Sequence, residues 1–254
     1  MRRLIPVMIF FIFSVFFGIQ PAFSSDKPNV EEIIHKIDGL YRSRTSSGEI
    51  EMTIVSSHWT RRLKMDIWSE GMDKTFIYIT YPEKDAGITA LRTGDEMWNY
   101  FPKINKVMKV PPSMMMSSWM GSDFTNDDLV KESSMLKDYS HRLINPEDEV
   151  PGYYYIELVP KEMVPSVWGK IIIKVGKEDY IPVQEDYYDE KDRKMRVIQF
   201  KEITYFDGRR IPAVLELTPL NKKGRKTVIR YLRLEFDRRL EKGIFTLRNL
   251  QKRR

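Results

Sequence analysis

The chain has no cysteine among its 254 residues and only three histidines. The first absence excludes a disulfide framework, a thiolate nucleophile and a lipid-modified N-terminal cysteine. His35, His58 and His141 have no second ligand-type residue at zinc-like spacing, so no metal centre is expected. The chain also lacks a Gly-x-Ser-x-Gly elbow, a P-loop, a dinucleotide glycine fingerprint and any serine flanked by a base. Carboxylates are plentiful but sit in turn-like runs such as Glu83–Asp85 and Asp189–Asp192, which read as solvated faces. Neither an enzyme nor a cofactor is expected.

Long apolar runs are missing too, except at the start. Arg2 and Arg3 precede an apolar run from Leu4 to Ile19, and Ala22-Phe23-Ser24 supplies a small-x-small cleavage pattern. The run falls short of the roughly 20 apolar residues that span a bilayer. Residues 1–24 therefore read as a cleaved secretory signal, with an uncleaved anchor as the alternative. Loss of the leader takes Arg2 and Arg3 from a net charge of +6. The modest positive excess that remains suits anionic headgroups or an acidic partner; an exported protein does not meet nucleic acid. Residues 25–254 suffice for one sizeable core without any linker-like gap, so one domain is expected.

Asn29 stands before Val30, Ile33, Ile34, Ile37 and Leu40 or Tyr41, at helical spacing, with Glu31 and Glu32 at the front and Arg42 and Arg44 behind. This predicts an amphipathic helix. Alternation of period two then takes over: Ile50, Met52 and Ile54 against Glu49, Glu51 and Thr53, then Leu63, Met65 and Ile67 against Arg62, Lys64 and Asp66. Similar runs continue to the end, broken by turn signals at Gly71, Gly94, Gly176, Gly208 and Gly224. Roughly ten or eleven strands in a meander of antiparallel hairpins are predicted. The expected architecture is mainly β: a strongly curved, unclosed antiparallel sheet with a leading helix and mid-chain helical pieces at Ser113–Met120 and Asn126–Leu136. One parity of most strands is apolar, so one face of the sheet needs a cover.

Between Pro111 and Leu129 the sequence "PPSMMMSSWMGSDFTNDDL" concentrates Met114, Met115, Met116, Trp119 and Met120 in one short segment. Three readings compete: a core helix, a methionine metal site and an adaptable lid over an apolar ligand. Consecutive methionines point in different directions and have no histidine nearby, which disfavours the metal. Methionine fills irregular core gaps and also serves surfaces that adapt to many apolar shapes. Ser117, Ser118, Gly121 and Ser122 would keep such a lid from packing rigidly.

The stretch from Asp85 to Leu129 resembles the outer-membrane lipoprotein-sorting family, the LolA-like group. It carries Gly87, Leu91, Arg92, Gly94, Asp95, Glu96, Met97 and Trp98, then Pro102, then Met120-Gly121-Ser122-Asp123-Phe124. The resemblance implies a half-open β-barrel whose hydrophobic cavity holds a lipid or the acyl chains of a lipoprotein, in the periplasm of a diderm bacterium. It implies a monomeric carrier, with an inner-membrane transporter as donor and an outer-membrane acceptor. The expected cavity residues are Ile50, Met52, Ile54, Leu63, Met65, Ile67 and Trp98, with Met114, Met115, Met116, Trp119 and Met120 as lid. Arg248, Lys252, Arg253 and Arg254 form a basic end that either docks on headgroups or is solvated. The alternative from another class is a non-enzymatic periplasmic adaptor of a lipid-export complex, its inner face filled by its own side chains.

Overall fold

The computed structural model describes residues 28–126, 128, 135–162, 164 and 166–252; the leader and the last two arginines lie outside them. The Asn29 side chain caps the first helix, α1 (Val30–Asp38), by accepting from the Glu31 amide at 3.0 Å. Ile33, Ile34 and Ile37 form its buried stripe. The helix stops at Gly39, so Leu40 and Tyr41 belong to the chain leaving it.

Thirteen strands form one antiparallel sheet. The first six are β1 (Thr45–Val55), β2 (Thr60–Glu70), β3 (Lys74–Tyr81), β4 (Thr89–Thr93), β5 (Glu96–Phe101) and β6 (Lys106–Lys109). The other seven are β7 (Tyr139–Ile144), β8 (Tyr153–Pro160), β9 (Lys170–Gly176), β10 (Pro182–Tyr188), β11 (Lys194–Phe206), β12 (Arg209–Pro219) and β13 (Lys226–Phe236). The count exceeds the expected one because pieces as brief as β4 and β6 are too short to display a period. Asp207 and Gly208, both at positive φ (46° and 80°), make the tight β11–β12 turn that the Asp-Gly pair predicts.

The strand order is β6-β5-β4-β3-β2-β1-β13-β12-β11-β10-β9-β8-β7. The chain thus starts at the centre and runs outward to one edge. It reappears at the opposite edge and returns, so that β1 and β13 pair in the middle. The sheet is curved and does not close, and residues 110–138 connect its two free edges.

Both faces are covered under the first six strands. On the inner face Ile50 pairs with Met65, Met52 with Leu63 and Ile77 with Ala90, all buried in the main core. On the outer face Phe76 and Leu91 are covered by Ile244 and Leu250, which the returning C-terminal segment and its helix α3 (Leu247–Leu250) lay across them. Thr89 Oγ1 donates to the Leu250 carbonyl at 2.9 Å and fixes that crossing. Under the last seven strands the inner face is covered by α1 and by α2 (Met135–Asp138), which contact each other and β7. Among the described residues no helix is long and apolar enough to cross a membrane.

Candidate functional site

The Met-rich segment lies on the inner face, but Ser113–Met120 is not the helix its apolar content suggests. Only Pro112–Met114 forms a turn of 3-10 helix. Ser118 then bridges to Thr125 as a miniature hairpin, turning at Met120 and Gly121, both at positive φ. The serines, expected to loosen the segment, tie it instead: Ser122 Oγ donates to the Trp119 carbonyl at 2.7 Å, and Ser118 Oγ bonds the Ser122 carbonyl. Short hydroxyls compete with helix for backbone partners, which is why a helical reading fails here.

Further contacts from three distant side chains, Arg61, Arg225 and Thr227, pin the segment in place. Arg61 Nη1 donates to the Met120 carbonyl at 2.9 Å while Nη2 pairs with Asp85 at 2.8 Å. Arg225 Nε meets Asp123 Oδ1 at 2.6 Å, and Thr227 Oγ1 donates to Asp123 Oδ2 at 2.8 Å. Asn126, read from sequence as a helix cap, instead donates to the Met114 and Ser117 carbonyls. The cap is Thr125, whose Oγ1 accepts from the Asp128 amide at 3.0 Å while the Asp128 carboxylate accepts from the Thr125 amide at 2.7 Å. Most of the expected helix at Asn126–Leu136 lies outside the described residues.

The expected site residues separate into groups. Ile50, Met52, Ile54, Leu63 and Met65 are buried beneath Trp119 and Phe124, with Ile67, Met115 and Met120 partly buried around them. Met114 and Met116 face outward, 51% and 39% exposed. Trp98 sits on the outer face, beside Phe76 and Leu91, with Lys109 Nζ 5.6 Å above its ring. In β5 the neighbouring Met97 faces inward, since adjacent strand residues point to opposite faces.

The open space is elsewhere. A mostly apolar hollow of about 220 Å³ lies under the later strands, bounded by Ile37 of α1, Phe124, Met135, Ile171, Ile198, Phe200, Leu215 and Ile229. None of the expected cavity or lid residues lines it; Phe124, the last residue of the family-like motif, does.

One end of the hollow is polar. Arg196 of β11 holds Asp128 through two parallel hydrogen bonds, Nη1 to Oδ2 at 2.8 Å and Nη2 to Oδ1 at 2.7 Å. Its guanidinium packs on the rings of Tyr187 and Trp168, 4.1 and 4.5 Å from their centroids. Burial works against ionising Asp128, but the charge and hydrogen bonds of Arg196 outweigh it and hold the carboxyl below its usual range. Burial likewise disfavours the Arg196 cation, and Asp128 overrides it, so the guanidinium holds its proton more firmly than usual. Beside the pair, Tyr187 Oη donates to Glu185 Oε2 at 2.7 Å. Burial pushes the Glu185 carboxyl up to about 7, more than the Tyr187 hydrogen bond and the Arg196 charge bring it down. Burial also lowers Arg42 to about 10 and lifts the stacked phenols of Tyr41 and Tyr231.

Sequence reasoning passes over Asp128, Glu185, Tyr187 and Arg196. The signal is nevertheless present: Arg196 shares the inward parity of Ile198, and Glu185 that of Tyr187, so each strand places a charge where the pattern demands an apolar residue. Among the described residues no group of three metal-ligating side chains is found.

An unclosed antiparallel half-barrel, spanned at its mouth by the segment that joins its two edges and hollow beneath, defines the LolA-like class of fold. A family model described as "Uncharacterized protein" matches residues 71–252, and the chain belongs to that family. Solved structures share the fold, among them the following three. A DUF1329 family protein from Desulfovibrio piger has a TM-score of 0.78 and 24% identity over 87% of this chain and 97% of its own. A putative outer membrane lipoprotein-sorting protein domain from Vibrio parahaemolyticus gives 0.74 and 20% over 87% and 98%. A LolA superfamily protein from Nitrosomonas europaea gives 0.72 and 18% over 86% and 98%. No curated protein matches the chain.

Proposed function

We propose that the protein is a periplasmic carrier, exported by its N-terminal signal as a single-domain monomer. It binds a lipid, or the acyl chains of a lipoprotein, and passes it from an inner-membrane transporter to an outer-membrane acceptor. The observation that carries this reading is the apolar hollow beside Phe124, in a fold shared with lipoprotein-sorting proteins. No bond is made or broken; the direction of transfer follows from the relative affinities of donor, carrier and acceptor. An acyl chain gains about 0.8 kcal/mol per buried methylene, on the order of 10 kcal/mol for a 14-carbon chain, and the ordering of chain and lid offsets part of this.

At about 220 Å³ the hollow is smaller than the roughly 300–1,000 Å³ typical of ligand pockets. A whole acyl chain therefore requires the segment 111–126 to lift. Lifting it joins the hollow to the inner face at Ile50, Met52, Ile54, Leu63, Met65 and Ile67, and turns Trp119, Met115 and Met120 toward the ligand. Trp98, on the outer face, takes no part in this.

The adaptor reading has one observation in its favour: the inner face under the early strands is filled by the protein's own Trp119 and Phe124. Extraction of the purified protein with organic solvent, followed by mass spectrometry, separates the two. A carrier releases co-purified lipid and takes up a fluorescent fatty acid, and Leu215→Trp, which fills the hollow, abolishes the uptake. No lipid and no uptake favour the adaptor.

A further inference from the structure

The polar end of the hollow bears on what kind of headgroup the site accepts. Arg42 and Arg196 line it as cations, Asp38 and Asp128 as carboxylates, and Glu185 lines it as well. Both Nη groups of Arg196 are committed to Asp128, while its Nε is buried without a hydrogen-bond partner and, having no accessible surface in this structure, is reached by a ligand only when the mouth segment moves. A buried donor left unsatisfied destabilises the site, so an acceptor atom brought by a ligand recovers that loss. A full negative charge fares differently. It meets two cations already matched by two carboxylates, and it must either displace Asp128 from a bidentate pair or add to the buried negative charge. The titratable and charged groups facing Glu185 are Asp38 at the end of α1, Tyr41 just beyond it, Asp128 from the mouth segment and Arg196 on β11, with Tyr187 on its own strand. Protonation of Glu185 lowers that negative charge and so eases the entry of an anion.

Resting on the carrier reading, we infer that the site selects an uncharged acyl ester or amide, whose carbonyl oxygen accepts from Arg196 Nε, and discriminates against phosphate headgroups. Asp128 does two things in this arrangement: it neutralises Arg196, and as the carboxylate of the Thr125 cap it ties the mouth segment to the same guanidinium. The headgroup is thereby sensed beside a residue that holds down the segment that must move.

The test is displacement of an uncharged environment-sensitive dye from the intact protein by three amphiphiles of equal chain length: a monoacylglycerol, a fatty acid and a lysophosphatidic acid. The monoacylglycerol is expected to bind at least about tenfold more tightly than the lysophosphatidic acid, the equivalent of one hydrogen bond to a charged donor. Its affinity should change little between about pH 5.5 and about pH 8, whereas the fatty acid should bind better at the lower pH as Glu185 takes a proton. Glu185→Gln should remove that pH dependence beyond what the fatty acid's own titration produces. Arg196→Lys, checked for folding by circular dichroism, should weaken the monoacylglycerol about tenfold by removing the Nε donor. Equal or tighter binding of the lysophosphatidic acid overturns the inference and leaves the carrier reading standing. Failure of all three amphiphiles to bind overturns both.

Discussion

Glu185 is a carboxyl buried on an otherwise apolar strand face, and its cost depends on pH. Its pKa rises from 4.5 in the unfolded chain to about 7 in the folded one, so the folded state binds the extra proton between those values. Stability therefore falls as pH rises from about 4.5 to about 7, by on the order of 3 kcal/mol for a shift of this size. Glu185→Gln should abolish that slope and raise stability at pH 8, as urea unfolding across the pH range would record. Asp128 acts in the opposite sense. Its depressed pKa contributes stability that is present above the unfolded value and lost as pH falls through the folded one. Asp128→Asn keeps the volume but leaves a buried guanidinium without its counter-charge, at an expected cost of about 3 kcal/mol measured by chemical denaturation.

At the level of elements, the parity of β1 and β2 was readable from their alternation, and register follows from it because a slip by one residue exchanges the two faces. Gly48 shows how closely these strands are fitted: a Cβ there would lie 2.2 Å from the Arg233 carbonyl oxygen, next to the β1–β13 register shift at Glu49 and Ile50. Backbone in the middle of a sheet cannot withdraw, so Gly48→Ala should cost at least about 1–3 kcal/mol, visible as a lower thermal midpoint. The mouth segment was less readable. Its methionines suggested helix and its serines suggested looseness, whereas the structure uses the serines, Asn126 and Thr125 as local hydrogen-bonding partners in a compact, irregular cover. No periodicity announces such a piece, since its partners are Arg61, Arg225 and Thr227, far away in sequence.

On the scale of the whole molecule, the order of the strands explains why a cover exists at all. A chain that leaves the centre of an open sheet toward one edge and returns from the other must pass between the two edges once, and the described part of that passage is residues 110–126, 128 and 135–138. The same topology brings the C-terminal segment back over the outer face of β3 and β4, where Leu250 is fully buried. Leu250→Ala should cost about 2–5 kcal/mol of stability in denaturant titration and leave amphiphile binding intact, because that side chain is on the far side of the sheet from the hollow.

The sequence by itself determined the helix and its cap, the β class, the inward parity of the early strands and the family-like motif ending at Phe124. Each of these depends on residues close together along the chain, where propensity and period act. Only the tertiary structure decided which half of the inner face is filled and which is hollow, that Trp98 points outward, and that Asp128, Glu185 and Arg196 meet. Those outcomes depend on strand order and on the path of the crossing segment, which join residues 68 positions apart through contacts that no local pattern encodes.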